Sequence, residues 1–211
     1  MKILLVNGSP NQYGCTNRAL REILDTLQGE NLNAEIFWIG NHPISGCIAC
    51  SRCAEIGKCV FDDQVNAFRE IAKGADGYVF GSPVHYASAS GAMISFMDRV
   101  FFSDLLGSGS QTFRLKPAAA VISARRAGTT STFDQMNKYF AIQEMPIISS
   151  VYWNMVHGNS PEEVEQDLEG LETMRVLARN MAYFLRCKAA GEKAGIAMPE
   201  REKHVFTNFI R

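Results

Sequence analysis

A chain of 211 residues suits one domain of roughly 100–200 residues with a tail, and its 46% hydrophobic content is enough for a sizeable core. Its 21 basic and 22 acidic residues nearly cancel, leaving a net charge of −1. That balance excludes the single-sign field of a nucleic-acid or membrane-surface binder and disfavours a strongly acidic electron carrier.

The opening run "MKILLVNGSP" reads as a buried parallel strand followed by a turn. Its apolar stretch is shorter than a signal-peptide core of roughly 7–15 residues. Nothing in the chain approaches the roughly 18–20 apolar residues of a membrane span, so a cytoplasmic protein without membrane association is expected. In "TNRALREILDTLQ", Ala19, Leu20, Ile23, Leu24 and Leu27 fall on one helical face, with Thr16 or Asn17 as cap. "NAEIFWIG" is the second strand, followed by a cysteine-rich loop over 42–63. "DQVNAFREIAKGA" is a helix capped by Asp63, "DGYVFGSPVHY" the third strand, and "ASGAMISFMDRVFF" another helix. "KPAAAVISA" is the fourth strand, "TSTFDQMNKYFAIQ" a helix and "MPIISSVYW" the fifth strand. From Ser160 the pattern predicts one long helix, with Pro161 at its first position and Glu162, Glu163 and Glu165 near its positive end.

Alternating strands and helices build a parallel sheet covered on both faces. The expected class is α/β, a doubly wound five-stranded sheet in the order 2-1-3-4-5. The domain spans 1–190, and 191–211 form a C-terminal tail that wraps a neighbour or stays disordered. In such a sheet ligands bind beyond the carboxyl ends of the strands, at the switch point beside the first and third. Three loops meet there.

The first, "NGSPNQYGCTN", joins a strand to a helix N-terminus, where unpaired N–H groups and the helix dipole favour an anion. Ser9, Thr16 and Asn17 add donors, with Asn11 and Cys15 beside them. Neither a Walker lysine nor the dinucleotide glycine pattern is present, which favours a mononucleotide phosphate. An ordinary capped strand–turn–helix explains the same residues. In "GSPVHYASASG", Pro83 and Val84 offer a backbone surface for a flat ring, with His85 and Tyr86 against it or simply solvated. In "SARRAGTTST", Ala124, Arg125, Arg126 and Gly128 follow a buried strand; the arginines either face the ligand or are surface charge.

Four of the six cysteines form Cys47-x2-Cys50-x2-Cys53-x5-Cys59. The first three positions match the bacterial ferredoxin run, with a different spacing to the fourth, and four thiolates are what a [4Fe–4S] cluster needs. Zinc more often takes two separated pairs, and empty thiols or a disulfide are a third possibility. Cys187 is expected in the helix core.

The "GSPxxxGxTN" start, the "GSPVxY" loop and "MDR" at Met97–Arg99 together resemble the NADPH-dependent FMN reductase family, over about the first 160 residues. That resemblance implies FMN phosphate at Ser9, Thr16 and Asn17. It lays the isoalloxazine along Pro83, Val84, His85 and Tyr86, with Ala124 to Thr129 closing the site. Asn11 stands where many relatives carry Arg, and His85 where many carry Tyr. The cysteine loop resembles the iron-sulfur flavoprotein branch, implying a cluster on Cys47, Cys50, Cys53 and Cys59 that exchanges electrons with FMN. The expected activity is transfer from NAD(P)H through FMN to a quinone, nitro compound, flavin or dioxygen. The alternatives are an electron-transfer protein serving a redox partner and a scaffold that has lost its cofactor. Tyr152, Trp153, Met155 and His157 point to a homodimer or homotetramer, or pack beneath the last helix.

Overall fold

The computed structural model describes residues 1–202 together with Val205 and Thr207; the end of the expected tail lies outside these residues. The elements in chain order are β1 (Lys2–Asn7), α1 (Cys15–Gly29), β2 (Asn33–Trp38), α2 (Cys53–Ile56), α3 (Gln64–Ala72), β3 (Gly77–His85), β4 (Ser88–Ala89), α4 (Gly91–Ser108), β5 (Ala118–Ala124), α5 (Thr129–Ile142), β6 (Met155–His157), α6 (Pro161–Val164) and α7 (Leu168–Lys193). The sheet runs β2-β1-β3-β5-β6, all parallel. This is the expected flavodoxin-like path. The two-residue β4 is an addition, pairing antiparallel with the end of β3 at Val84–Ala89 and His85–Ser88.

Side chains alternate across each strand, so the sheet divides the core in two. Leu4, Val6, Tyr78, Phe80, Ala120 and Ile122 pack against α3, α4 and α5 through Phe68, Phe96, Phe101 and Phe140. Ile3, Leu5, Val79, Ala119 and Val121 face Leu20, Ile23 and Leu27 of α1 and Met174, Leu177 and Met181 of α7. Both faces are sealed, which leaves the strand ends as the place for a site.

Three local expectations are corrected. The fifth strand is not continuous through Met145–Trp153. Ile147 makes a single bridge to Ala118, the chain then bows outward, and ladder pairing resumes only at Met155. Side chains hold the departing segment: Asn154 Nδ2 donates to Ala120 O of β5 (3.1 Å), and two bonds tie it to α7, Ser150 Oγ to Thr173 O (2.7 Å) and Asn180 Nδ2 to Ser149 O (2.9 Å). The predicted long helix is broken at Asp167, whose carboxylate caps α7 through Gly170 N (3.0 Å) and accepts from His157 N (2.6 Å). Cys187 is exposed rather than buried, because it lies beyond the α7 face that Met181 and Leu185 turn toward the core.

Glu22 ties α1 to α7, accepting from Arg175 (2.5 Å) and Arg18 (2.9 Å). Burial alone would raise its carboxyl, but the two hydrogen bonds outweigh it and hold the group below the usual carboxylate range. A depressed folded-state value stabilises above the unfolded pKa and loses that contribution as the carboxylate protonates. Glu22→Gln is expected to lower the urea midpoint at neutral pH. The gap to wild type should close as pH falls below about 4.

Candidate functional site

The first strand–helix loop is built around a buried asparagine. Asn7 Oδ1 accepts from Ser9 N (3.0 Å) and its Nδ2 donates to Gln12 O (3.0 Å). Ser9 Oγ accepts from Asn11 N (3.1 Å), and Trp38 Nε1 at the end of β2 donates to Ser9 O (2.8 Å). Below the loop, Gly8 N donates to Gly81 O (2.8 Å) and Ser90 Oγ to Gly8 O (2.7 Å). The loop therefore hangs from the ends of β1 and β2 and the middle of β3, and opens away from the core.

Above it α1 begins without a side-chain cap. Gly14 is the N-cap, no side chain accepts there, and the first turn holds no acidic residue. Thr16, expected as a cap, shares a hydrogen bond with Ser123 of β5 (2.8 Å). By contrast α3, α4, α6 and α7 are each closed by a side chain, from Asp63, Ser90, Ser160 and Asp167. An uncapped helix start leaves N–H donors and partial positive charge for an outside anion. α5 also starts uncapped, at Gly128.

A pocket of about 400 Å³ opens here, at the β1/β3 switch point. Ser9, Asn11, Cys15, Thr16, Pro83, Val84, Ala124 and Arg125 line it, so eight of the residues singled out in the sequence converge on one place. The others do not line it. Asn17 is buried one position further into α1, where its Oδ1 accepts from Arg21. His85 and Tyr86 rise on the β3–β4 hairpin, and Tyr86 stands fully in solvent at φ +62°. Arg126 points outward. Gly128 packs on Val84 at φ +95°, where a Cβ would meet that side chain at 2.9 Å. Sequence reasoning missed Gly158, Asn159, Ser160 and Pro161, which close the pocket from the last strand. Their signal was available: "GNSP" after β6 is a small-polar-proline turn like "GSPN" after β1. Cys15 Sγ contacts Gly158 O at 3.4 Å, and burial pushes its thiol up.

The cysteine loop forms a second centre. All six cysteines are free thiols, and Cys47, Cys50, Cys53 and Cys59 border one hollow with Phe61 and Arg99. The hollow is tight, about 20 Å³. Among the described residues no group of three or more His, Cys, Asp or Glu is close enough to hold a metal ion. The thiols ring a space rather than forming a finished ligand set. Cys53 is buried and Cys59 half-buried, while Cys47 and Cys50 face solvent. Burial, then the neighbouring charges of Cys47, Cys50 and Cys59, push the Cys53 thiol up. Cys50 sits between two left-handed residues, Ala49 (φ 53°) and Ser51 (φ 55°); such conformations persist where surrounding structure over-determines them. The donor set suits a thiolate-bound centre, with Cys47 and Cys50 as its exposed pair.

The base of this loop is firmly held. Asn66 accepts from Cys59 N (3.0 Å) and donates to the carbonyls of Cys59 and Phe61 (2.9 Å each). Arg69 donates to Gly57 O (2.9 Å) and pairs with buried Asp104. α2 lies directly on α4 at Gly107, where a Cβ would stand 2.9 Å from Cys53 O and 3.0 Å from Gly57 Cα. Gly107→Ala should cost about 1–3 kcal/mol by forcing backbone apart, and should speed labelling of Cys53 by a thiol reagent. Urea unfolding and timed mass spectrometry check the two halves.

Residues 1–160 match the NADPH-dependent FMN reductase family. An iron-sulfur flavoprotein of Methanocaldococcus jannaschii is 31% identical over 192 residues, covering 88% of this chain and 98% of that protein. One from Methanosarcina thermophila is 23% identical, covering 88% and 95%. Among solved structures, a WrbA-like flavodoxin from Agrobacterium tumefaciens superimposes with a TM-score of 0.60 at 15% identity, over 88% of this chain and 98% of that one. This last likeness is one of fold.

Proposed function

The chain belongs to the NADPH-dependent FMN reductase family, and from that premise we propose that it passes electrons from NAD(P)H through bound FMN to a small acceptor such as a quinone, nitro compound, flavin or dioxygen. The observation that carries this reading is the uncapped start of α1 opening into the switch-point pocket. The residues present fit a flavin mononucleotide: neutral donors for a phosphate at one end, and an apolar backbone wall at the other.

When bound, FMN would supply hydride and single-electron redox chemistry. The chain binds and orients. The N–H groups of Cys15, Thr16 and Asn17, with Ser9 Oγ and the Asn11 amide, receive the phosphate. Pro83 and Val84 support the ring from the β3 side, with His85 and Tyr86 at its exposed edge. Ala124 to Gly128 close the other side, where the Arg125 guanidinium favours negative charge developing on the ring. A nicotinamide and then an acceptor use the same open face, so kinetics should be ping-pong.

A second reading has its own support. Four thiols around one hollow, together with relatives named iron-sulfur flavoproteins, favour a [4Fe–4S] cluster on Cys47, Cys50, Cys53 and Cys59 and one-electron transfer to a redox partner. Among the described residues no helix is long and apolar enough to cross a membrane. The net charge of −1 favours neither nucleic acid nor a charged lipid surface as partner. Exposed Val151, Tyr152 and Trp153, which border one hollow with Ile147, support a homodimer or homotetramer.

Anaerobic purification with a visible spectrum and iron analysis separates the two readings. Flavin bands without iron make the protein a simple reductase; flavin with about four irons per chain makes it an iron-sulfur flavoprotein. A protein that takes up no FMN overturns both. Asn11→Asp sets a carboxylate against the phosphate and should weaken FMN binding by about tenfold or more, ~1.4 kcal/mol. Asn11→Ala should lose far less. Quenching of free FMN fluorescence measures both, and equal affinities would place the phosphate elsewhere.

A further inference from the structure

The cysteine centre has one cation built against it. Arg99 of α4 is 1% exposed. Its two terminal nitrogens grip Asp63 in a fork, at 2.6 and 2.9 Å, and one also reaches Ser45 O at 3.3 Å. The guanidinium lies 4.8 Å from the centre of the Phe61 ring. These contacts neutralise and pack the charge. The remaining donor, Nε–H, points at Cys59 Sγ at 3.2 Å. A neutral thiol is a weak acceptor, whereas a sulfur carrying negative charge makes a strong bond to a cation.

The other arginine at the base of the loop behaves differently. Arg69 is equally buried and holds Gly57 O and Asp104, and its Nε has no partner. Arg69 serves backbone and carboxylate, while Arg99 spends a donor on sulfur. Both arise from helices that pack on the loop, so general loop support does not account for the difference.

We propose that Arg99 is a positioning residue for a centre built on the four cysteines, holding Cys59 Sγ by an Nε–H···S hydrogen bond and raising the reduction potential of that centre. The proposal rests on the iron-sulfur reading above. Reduction adds one negative charge, and a buried cation hydrogen-bonded to a ligating sulfur favours the more negative state. Cys59 becomes the distinct corner of the centre, held at its inner edge while Cys47 and Cys50 approach from solvent.

The test uses the intact protein purified without oxygen. Breaking the ion pair alone would leave a buried charge, so Arg99→Gln is combined with Asp63→Asn, which conserves net charge and an N-cap. Arg69→Lys is the control, since it disturbs loop packing and retains the Arg99 donor and its ion pair. Redox titration should show the iron-sulfur potential of the double variant below that of wild type and of the control, with the flavin potential unmoved. Equal potentials in the double variant and the control would overturn the proposal. If the double variant fails to fold, wild-type protein labelled with ¹⁵N-arginine decides. Pulsed EPR of its reduced form should show coupling to an arginine nitrogen, and no coupling would overturn the role of Arg99. Failure of the underlying reading looks different: wild-type protein with flavin and no iron removes the centre itself, and this proposal with it.

Discussion

The contact between Gly8 and Gly81 governs how the carboxyl edge of this sheet is put together. Their backbones meet at 2.8 Å, just past the end of β1 and midway along β3. A Cβ on Gly8 would stand 2.6 Å from Met93 Cε, and one on Gly81 would stand 2.9 Å from Thr16 Cγ2 and 3.0 Å from Leu20. Four elements therefore converge through a gap that admits only hydrogen. That closeness seats α4 under one side of the loop and α1 over the other, and it directs the open start of α1 to the switch point. Asn7 then shapes the loop from within, its amide replacing the ladder partners that a strand loses at its end.

The same economy shapes the cysteine loop, which has little apolar material and is exposed along most of its length. A segment of that kind must be held by polar bonds, and buried polar groups are costly unless satisfied. Asn66, Arg69 and Arg99 supply the bonds, with Asp63 and Asp104 balancing the two charges. Rigidity is concentrated at Cys53 and Cys59, whereas Cys47 and Cys50 lie on the outer limb. Trp38 links the regions: it ends β2, from which the cysteine loop departs, and its indole donates to Ser9 O in the pocket loop.

Most of the architecture was legible because it depends on periodicity. The buried strands, the amphipathic α1 and the Asp63 cap follow from patterns of 2 and 3.6 residues and from short-range capping. The departures occur where long-range polar contacts override local preference. "MPIISSVYW" has a strand's composition, yet Asn154 satisfies a β5 carbonyl with its side chain while Ser150 and Asn180 tie the segment to α7, and the chain leaves the ladder. The helix from Ser160 is interrupted because Asp167 answers both Gly170 N and His157 N, the latter on another element.

By itself the sequence determined the α/β class, the strand order, the loops that carry the pocket and the four cysteines of one segment, since each follows from local pattern or from the handedness of strand–helix–strand units. Tertiary structure alone decided which side chains share a space. It gathered Ser9, Thr16, Val84 and Arg125 into one pocket, added the turn at Gly158–Pro161 and left His85, Tyr86 and Arg126 off its wall. It also brought Arg99 to Cys59 across 40 positions of chain. Spacing along a sequence specifies direction within one element; contacts between elements depend on how two helices settle on a sheet, and no local pattern encodes that distance.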